Sequence, residues 1–167
     1  NAVEQIGNPA GDISLNTQDI TYTPFNKTKT VTENFDELTL TYGPDQQRKI
    51  SELTNQGVPQ KKIIYSGSYE KITDEISGET YEVHYLPGEA INVRKDGLLS
   101  SDQIFYVYSD HLGSFNTITD GNGTKVFEQN FDAWGRKRDP NEWDYDLSNY
   151  SEPMLPAGTH DPKKWLI

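Results

Sequence analysis

The chain has no cysteine, a single methionine, and only 33% hydrophobic residues in 167. Without cysteine there is no disulfide framework and no thiolate metal centre. So small an apolar share allows a core at this length, but a lean one. Basic residues are also scarce: 15 against 26 acidic, a net charge of −11. Nucleic acid is excluded as a general partner because phosphate binding needs a positive field. An anionic membrane surface is excluded on the same ground, and the acidity is assigned to solubility. No apolar run approaches the roughly 20 residues of a membrane-spanning helix. No signal peptide is visible; the chain starts at Asn1 and ends in Lys163-Lys164-Trp165-Leu166-Ile167. It is read as an excised or processed piece, so missing targeting signals say little. Helical periodicity is lacking beyond a few residues.

Aromatics and turn formers are what the chain does have. Ten Tyr, six Phe and three Trp supply much of the available apolar mass, and such side chains suit a pleated, half-buried surface. Leu38, Leu40 and Tyr42 alternate with Thr39 and Thr41; Tyr81, Val83 and Tyr85 repeat the pattern. Ile104, Tyr106 and Tyr108 alternate with Phe105 and Val107, which predicts a strand buried on both sides. Tyr42-Gly43-Pro44-Asp45 and Leu86-Pro87-Gly88-Glu89 stop strands, and Asp120-Gly121-Asn122-Gly123 marks a tight hairpin. About a dozen short strands are expected by this reading. The aromatic strand ends Tyr22, Tyr42, Tyr65, Tyr85, Tyr108 and Phe131 are separated by 20, 23, 20, 23 and 23 residues. That period points to a hairpin repeat whose units bury their apolar faces together. An ordinary antiparallel sandwich with even hairpins remains open on spacing alone.

The units also share wording. Tyr22-Thr-Pro-Phe-Asn26-Lys27, Tyr42-Gly-Pro-Asp45-Gln-Gln-Arg48, Tyr108-Ser-Asp110-His111-Leu112-Gly113-Ser114 and Phe131-Asp132-Ala133-Trp134-Gly135-Arg136 run aromatic, Asp or Asn, Gly or Asn, basic. This resembles the YD repeat, and Tyr106–Arg138 resembles the Rhs repeat-associated core of large surface or wall-associated proteins of Bacteroidetes-type bacteria. The resemblance covers roughly residues 18–145. In the motif the Tyr offers a stacking face and a hydroxyl, Asp bonds backbone N–H groups of the following turn, Gly takes positive φ, and Arg reaches over a ring or to a carboxylate. The resemblance implies antiparallel β-hairpin repeats in a spiralling sheet that closes into a hollow shell, often around a toxic C-terminal domain. Many such cores end in a self-cleaving motif, Asp-Pro-x-x-Gly-Leu followed by Arg-Tyr-Tyr-Asp-Pro. Here the residues after Trp143 depart from it, and Asp161-Pro162 is a faint echo.

Asp110-His111 could orient a general base, but adjacent strand residues point to opposite faces. His84, His111 and His160 lack the spacing of helical zinc ligands. Asp120-x-Asn122-x-Thr124 has the start of a calcium loop, but Phe131 holds the position where a bidentate Glu is needed. Arg136-Lys137-Arg138 is too short for a nucleic-acid patch and has Asp132, Asp139 and Glu142 nearby. Trp134, Trp143 and Trp165 are either a carbohydrate-stacking or partner platform, or core and lid residues. Asn26, Asn122 and Asn149 open glycosylation-type tripeptides that are chance matches in a bacterial protein.

The expected fold is therefore all-β. Residues 1–17 form a lead-in, 18–105 degenerate YD repeats, 106–145 an Rhs-core-like hairpin segment, and 146–167 an irregular tail. The expected role is structural, in a secreted or cell-surface protein, with no cofactor, metal or catalytic residue. Expected partners are other repeats of the parent chain and an enclosed domain or a secretion or cell-surface protein. A surface adhesin or interaction module, with the aromatic-rich C-terminal third as interface, is the alternative. An isolated piece is expected to be marginally stable, since its end units lack stacking partners.

Overall fold

Period-two alternation of apolar and polar residues gives a sheet with two unlike faces. The computed structural model describes residues 16–132, 137–141, 151 and 153–165. Its strands are β1 (Gln18–Tyr22), β2 (Thr28–Glu33), β3 (Asp36–Tyr42), β4 (Arg48–Asn55), β5 (Val58–Ser66), β6 (Tyr69–Asp74), β7 (Thr80–Leu86), β8 (Ala90–Lys95), β9 (Gln103–Ser109), β10 (Phe115–Asp120) and β11 (Lys125–Glu128). These 11 form one sheet whose order is the chain order. The short pair β12 (Asn130–Phe131) and β13 (Lys137–Arg138) forms a second. A 3-10 turn covers Leu99–Ser101, and one helical turn, α1, covers Pro162–Trp165. The all-β antiparallel expectation holds.

The chain divides into two compact units, Asn1–Lys62 and Ile63–Ile167. In the first, Ile20, Val31, Leu38 and Leu53 pair across β1 to β4 in one apolar row. Thr21, Thr30, Thr39 and Glu52 form a polar row on the opposite face. Among this unit's described residues only Ser51 is fully buried. Of its apolar row, Ile20 is exposed and Val31, Leu38 and Leu53 are partly buried.

The second unit has a true core. Ile63, Ile72, Val83, Ile91, Phe105 and Ile118 are buried on one face of their strands. The segment 153–165 lies on that face. Trp165 is 0% exposed and its ring sits 4.9 Å from that of Phe105. Leu155 packs against the same cluster, and Pro162 is buried at the start of α1.

The expected burial of β9 on both faces is not found: Phe105 and Val107 are buried, but Ile104, Tyr106 and Tyr108 are 37%, 42% and 52% exposed. Antiparallel sheets joined by hairpins need only one covered face, and the chain supplies a cover for one.

Candidate functional site

The repeat chemistry concentrates in the turns. Four of them share one hydrogen-bond pattern. Thr23 N donates to Lys27 O, Gly43 N to Gln47 O, Asp110 N to Ser114 O and Asp120 N to Thr124 O, at 2.8–3.0 Å. In each, the N–H three residues along donates back to the first carbonyl: Asn26, Gln46, Gly113 and Gly123. Those four residues have φ of 60°, 57°, 85° and 83°. This is a turn closed by one left-handed residue, the three-residue hairpin with a bulge. The register shifts at Thr21/Tyr22, Thr41/Tyr42 and Ile118/Thr119 are the bulges themselves.

The side chain of the first residue completes the turn. Asp110 Oδ1 accepts from Leu112 N at 2.8 Å and Ser114 N at 3.0 Å. Asp120 Oδ1 accepts from Asn122 N and Thr124 N, each at 2.9 Å. Thr23 Oγ1 accepts from Lys27 N at 3.1 Å. In the Gly43 turn, where the first residue has no side chain, Asp45 Oδ1 accepts from Gln47 N at 3.1 Å and Lys49 binds the same carboxylate. The N–H donors of Ser114 and Leu112 hold the Asp110 carboxyl below its usual range, with His111 adding to them. Asp110 therefore serves the turn, not a base on His111. The 120–124 segment likewise is a hairpin loop, with β10 and β11 paired across it.

The aromatic period has a structural meaning. Tyr22, Tyr42, Tyr65, Tyr85 and Tyr108 lie at or next to the C-terminal residues of β1, β3, β5, β7 and β9. One repeat is thus two strands, and each tyrosine precedes every second turn. Tyr42 donates its hydroxyl to Thr28 O at 2.7 Å and meets Phe25 edge-on at 5.6 Å. Tyr85 donates to Glu70 at 3.2 Å, and burial, then the Glu70 charge, pushes its phenol far up. Tyr108 stands one residue further from its turn than the motif spacing asks, because Ser109 intervenes before Asp110; it is half-exposed. Phe131 lies in β12 and Asp132 just after it. Trp134, Gly135, Arg136, Glu142, Trp143 and Asn149 lie outside the described residues, as do residues 1–15. Trp165 is a core residue, which removes it from any exposed platform.

The histidines occupy three different settings. His84 packs against Tyr69 at 4.8 Å. His111 sits in the β9–β10 turn. His160 donates from Nε2 to Ser101 O at 2.6 Å and meets the Tyr81 ring edge-on at 6.0 Å. No group of three or more His, Asp or Glu side chains among the described residues is placed to hold a metal ion, and no described helix is long and apolar enough to cross a membrane. Gln103 fastens the tail: its Nε2 donates to Gly158 O at 2.7 Å, and His160 N donates to its Oε1 at 2.8 Å. Sequence reasoning missed this anchor. The available signal was the presence of Leu155, Pro162 and Trp165 in the tail.

Solved structures that share this fold include two of TcdB2–TccC3. One is a TcdB2–TccC3–Cdc42 crystal structure, with a TM-score of 0.61 and 17% identity over 72% of this chain. The other is TcdB2–TccC3 without its hypervariable C-terminal region, at 0.59 and 16% over the same share. The chain spans only 7% of the length of either matched chain. No family model and no curated protein matches.

Proposed function

We propose that the chain is a structural β-sheet segment of a large Rhs-type or YD-repeat shell, secreted or held at a bacterial surface, and that it performs no catalysis. The observation that carries this reading is the strictly sequential 11-strand order, with every second turn preceded by a tyrosine. Such a meander grows by adding hairpins at an edge, and an edge strand is a template for a neighbour. The likeness in fold to a small part of two much longer chains supports it. The partners on this reading are flanking repeats of the parent chain and a variable domain that they enclose or display. One of the matched structures is of TcdB2–TccC3 without its hypervariable C-terminal region, and a variable region in that place fits the arrangement.

The test is the structure of the native parent chain, purified from its source under mild lysis. The expected result is a chain several times longer than this one, in which β1 and β11 pair with further strands of a closed or spiralling sheet. A parent little longer than this segment, recovered bound through its C-terminal third to another surface protein, would replace the shell with the interaction-module reading.

A further inference from the structure

The core face of the second unit is not covered along its whole length. The cross-strand pairs Tyr85–Ile91 and Ser109–Phe115 extend that face beyond Phe105, toward the β7–β8 and β9–β10 turns. There it opens into a cavity of about 170 Å³. Tyr85, Ile91, Val107 and Phe115 give it an apolar body, and the exposed Ser109 and Glu89 stand at its rim. No residue of the 153–165 segment lines it, so the tail leaves this end of the core open. The cavity spans β7 to β10, inward of the β11 edge where further strands would add, so flanking repeats do not fill it.

Size limits what the cavity takes. An apolar cavity of about 150 Å³ holds a benzene-sized ring, whereas sites for drug-sized molecules run to about 300–1,000 Å³. One phenyl ring fills the space. Charge limits what can accompany the ring. Among the described residues Glu89 is the sole charged one lining the cavity, and no lysine or arginine lines it. Glu70 adds a second carboxylate nearby, accepting from the Tyr85 hydroxyl at 3.2 Å. With a net charge of −11 on the chain, a cation beside the ring is favoured and an anion is repelled.

The same face already holds a segment of this chemistry. The tail docks by an aromatic ring that follows two lysines, Lys163-Lys164-Trp165, with Trp165 against Phe105. The Ser77 N–H chiefly, and after it the Lys164 charge, hold the Asp74 carboxyl below its usual range. A buried aromatic anchor with polar groups around it is the usual energetic centre of a docked segment.

We propose that this cavity is a docking site for a basic peptide segment of a partner protein, anchored by one phenyl side chain. The ring enters between Tyr85 and Phe115, and a neighbouring lysine or arginine meets Glu89. The ring supplies most of the affinity, since an exposed ion pair adds little and mainly selects the sign of the partner. The inference is independent of whether the parent sheet closes into a shell.

The test titrates the 167-residue protein with the peptide acetyl-Lys-Lys-Phe-Lys-amide, read by NMR chemical-shift perturbation and calorimetry. Acetyl-Lys-Lys-Ala-Lys-amide and acetyl-Glu-Glu-Phe-Glu-amide are the comparisons. Saturable binding of the first is expected, with shifts centred on Ile91, Val107 and Phe115, and at least tenfold weaker binding of the other two. Ser109→Phe, which plugs the cavity from an exposed position, should weaken binding at least tenfold with the near-ultraviolet spectrum of the fold retained. Should that variant fail to fold, Ser109→Leu serves. Glu89→Gln should weaken binding about two- to threefold at low salt, and the difference should vanish at high salt. Absence of saturable binding, equal binding of the alanine peptide, preference for the acidic peptide, or undiminished binding by the plugged variant overturns the proposal. The same shifts on concentrating the protein alone would give the cavity to a second copy and overturn it too.

Discussion

Asp110 shows how one side chain decides a local structure. Its carboxylate replaces solvent for two turn N–H groups, so the ionised form belongs to the folded state. Asp45, Asp74 and Asp102 are held low in a similar way: by Lys49, by the Ser77 N–H and by Arg94 respectively, each as the largest cause. A depressed folded value means a contribution that is present above about pH 4, the unfolded range. It is lost as pH falls through the lower folded value. Urea midpoints measured from pH 7 to pH 2 should therefore drop on the acid side, and Asp110→Asn should flatten that drop. On the alkaline side the sign reverses. Lys95, through its bond to Glu79, and Tyr85, through burial, both bind their protons more firmly when folded. Their contributions are present below pH 10 and fade above it, so the same titration continued to pH 11.5 should show a second loss. Trp165 has the largest packing role. Trp165→Ala should cost about 3–5 kcal/mol in urea unfolding, as aromatic truncations in cores do, and Trp165→Phe distinctly less.

Turns set the register of each hairpin. Gly123 at φ 83° and Gln46 at φ 57° hold the same place in their turns, one without a Cβ and one with it. The left-handed region costs a Cβ-bearing residue about 1–2 kcal/mol. Gly123→Ala should lower stability by about 1 kcal/mol in thermal or urea melts. Gln46→Gly should change it by under about 0.5 kcal/mol, since relief of strain offsets added freedom in the unfolded chain. The Tyr-Asp-x-x-Gly wording was legible at this scale because both chemical requirements, a carboxylate for N–H groups and a residue for positive φ, are local. The turn that meets the requirement with Thr23 and Asn26 was legible by its asparagine and its spacing.

The two units differ in what covers their apolar residues. The second has the 153–165 segment over its core; in the first no described apolar residue is fully buried. Opening free energy follows burial of this kind. Amides of β1 to β4 should exchange with deuterium faster than those of β7 to β9, and limited proteolysis should cut first in the turns before Lys62. Equal protection in the two units would contradict this.

Strand identity, hairpin order and the 20 to 23-residue repeat were fixed by residues close in the chain, because alternation and turn chemistry are local properties. Which face of β9 is buried was not. Phe105-Tyr106-Val107-Tyr108 is apolar on both sides, and the choice fell to Phe105 and Val107 only because a tail some 60 residues later lays Trp165 against Phe105. The exposure of Tyr106 and Tyr108 follows from that same long-range contact: a strand pattern specifies two faces, while the cover that distinguishes them arrives from elsewhere in the fold.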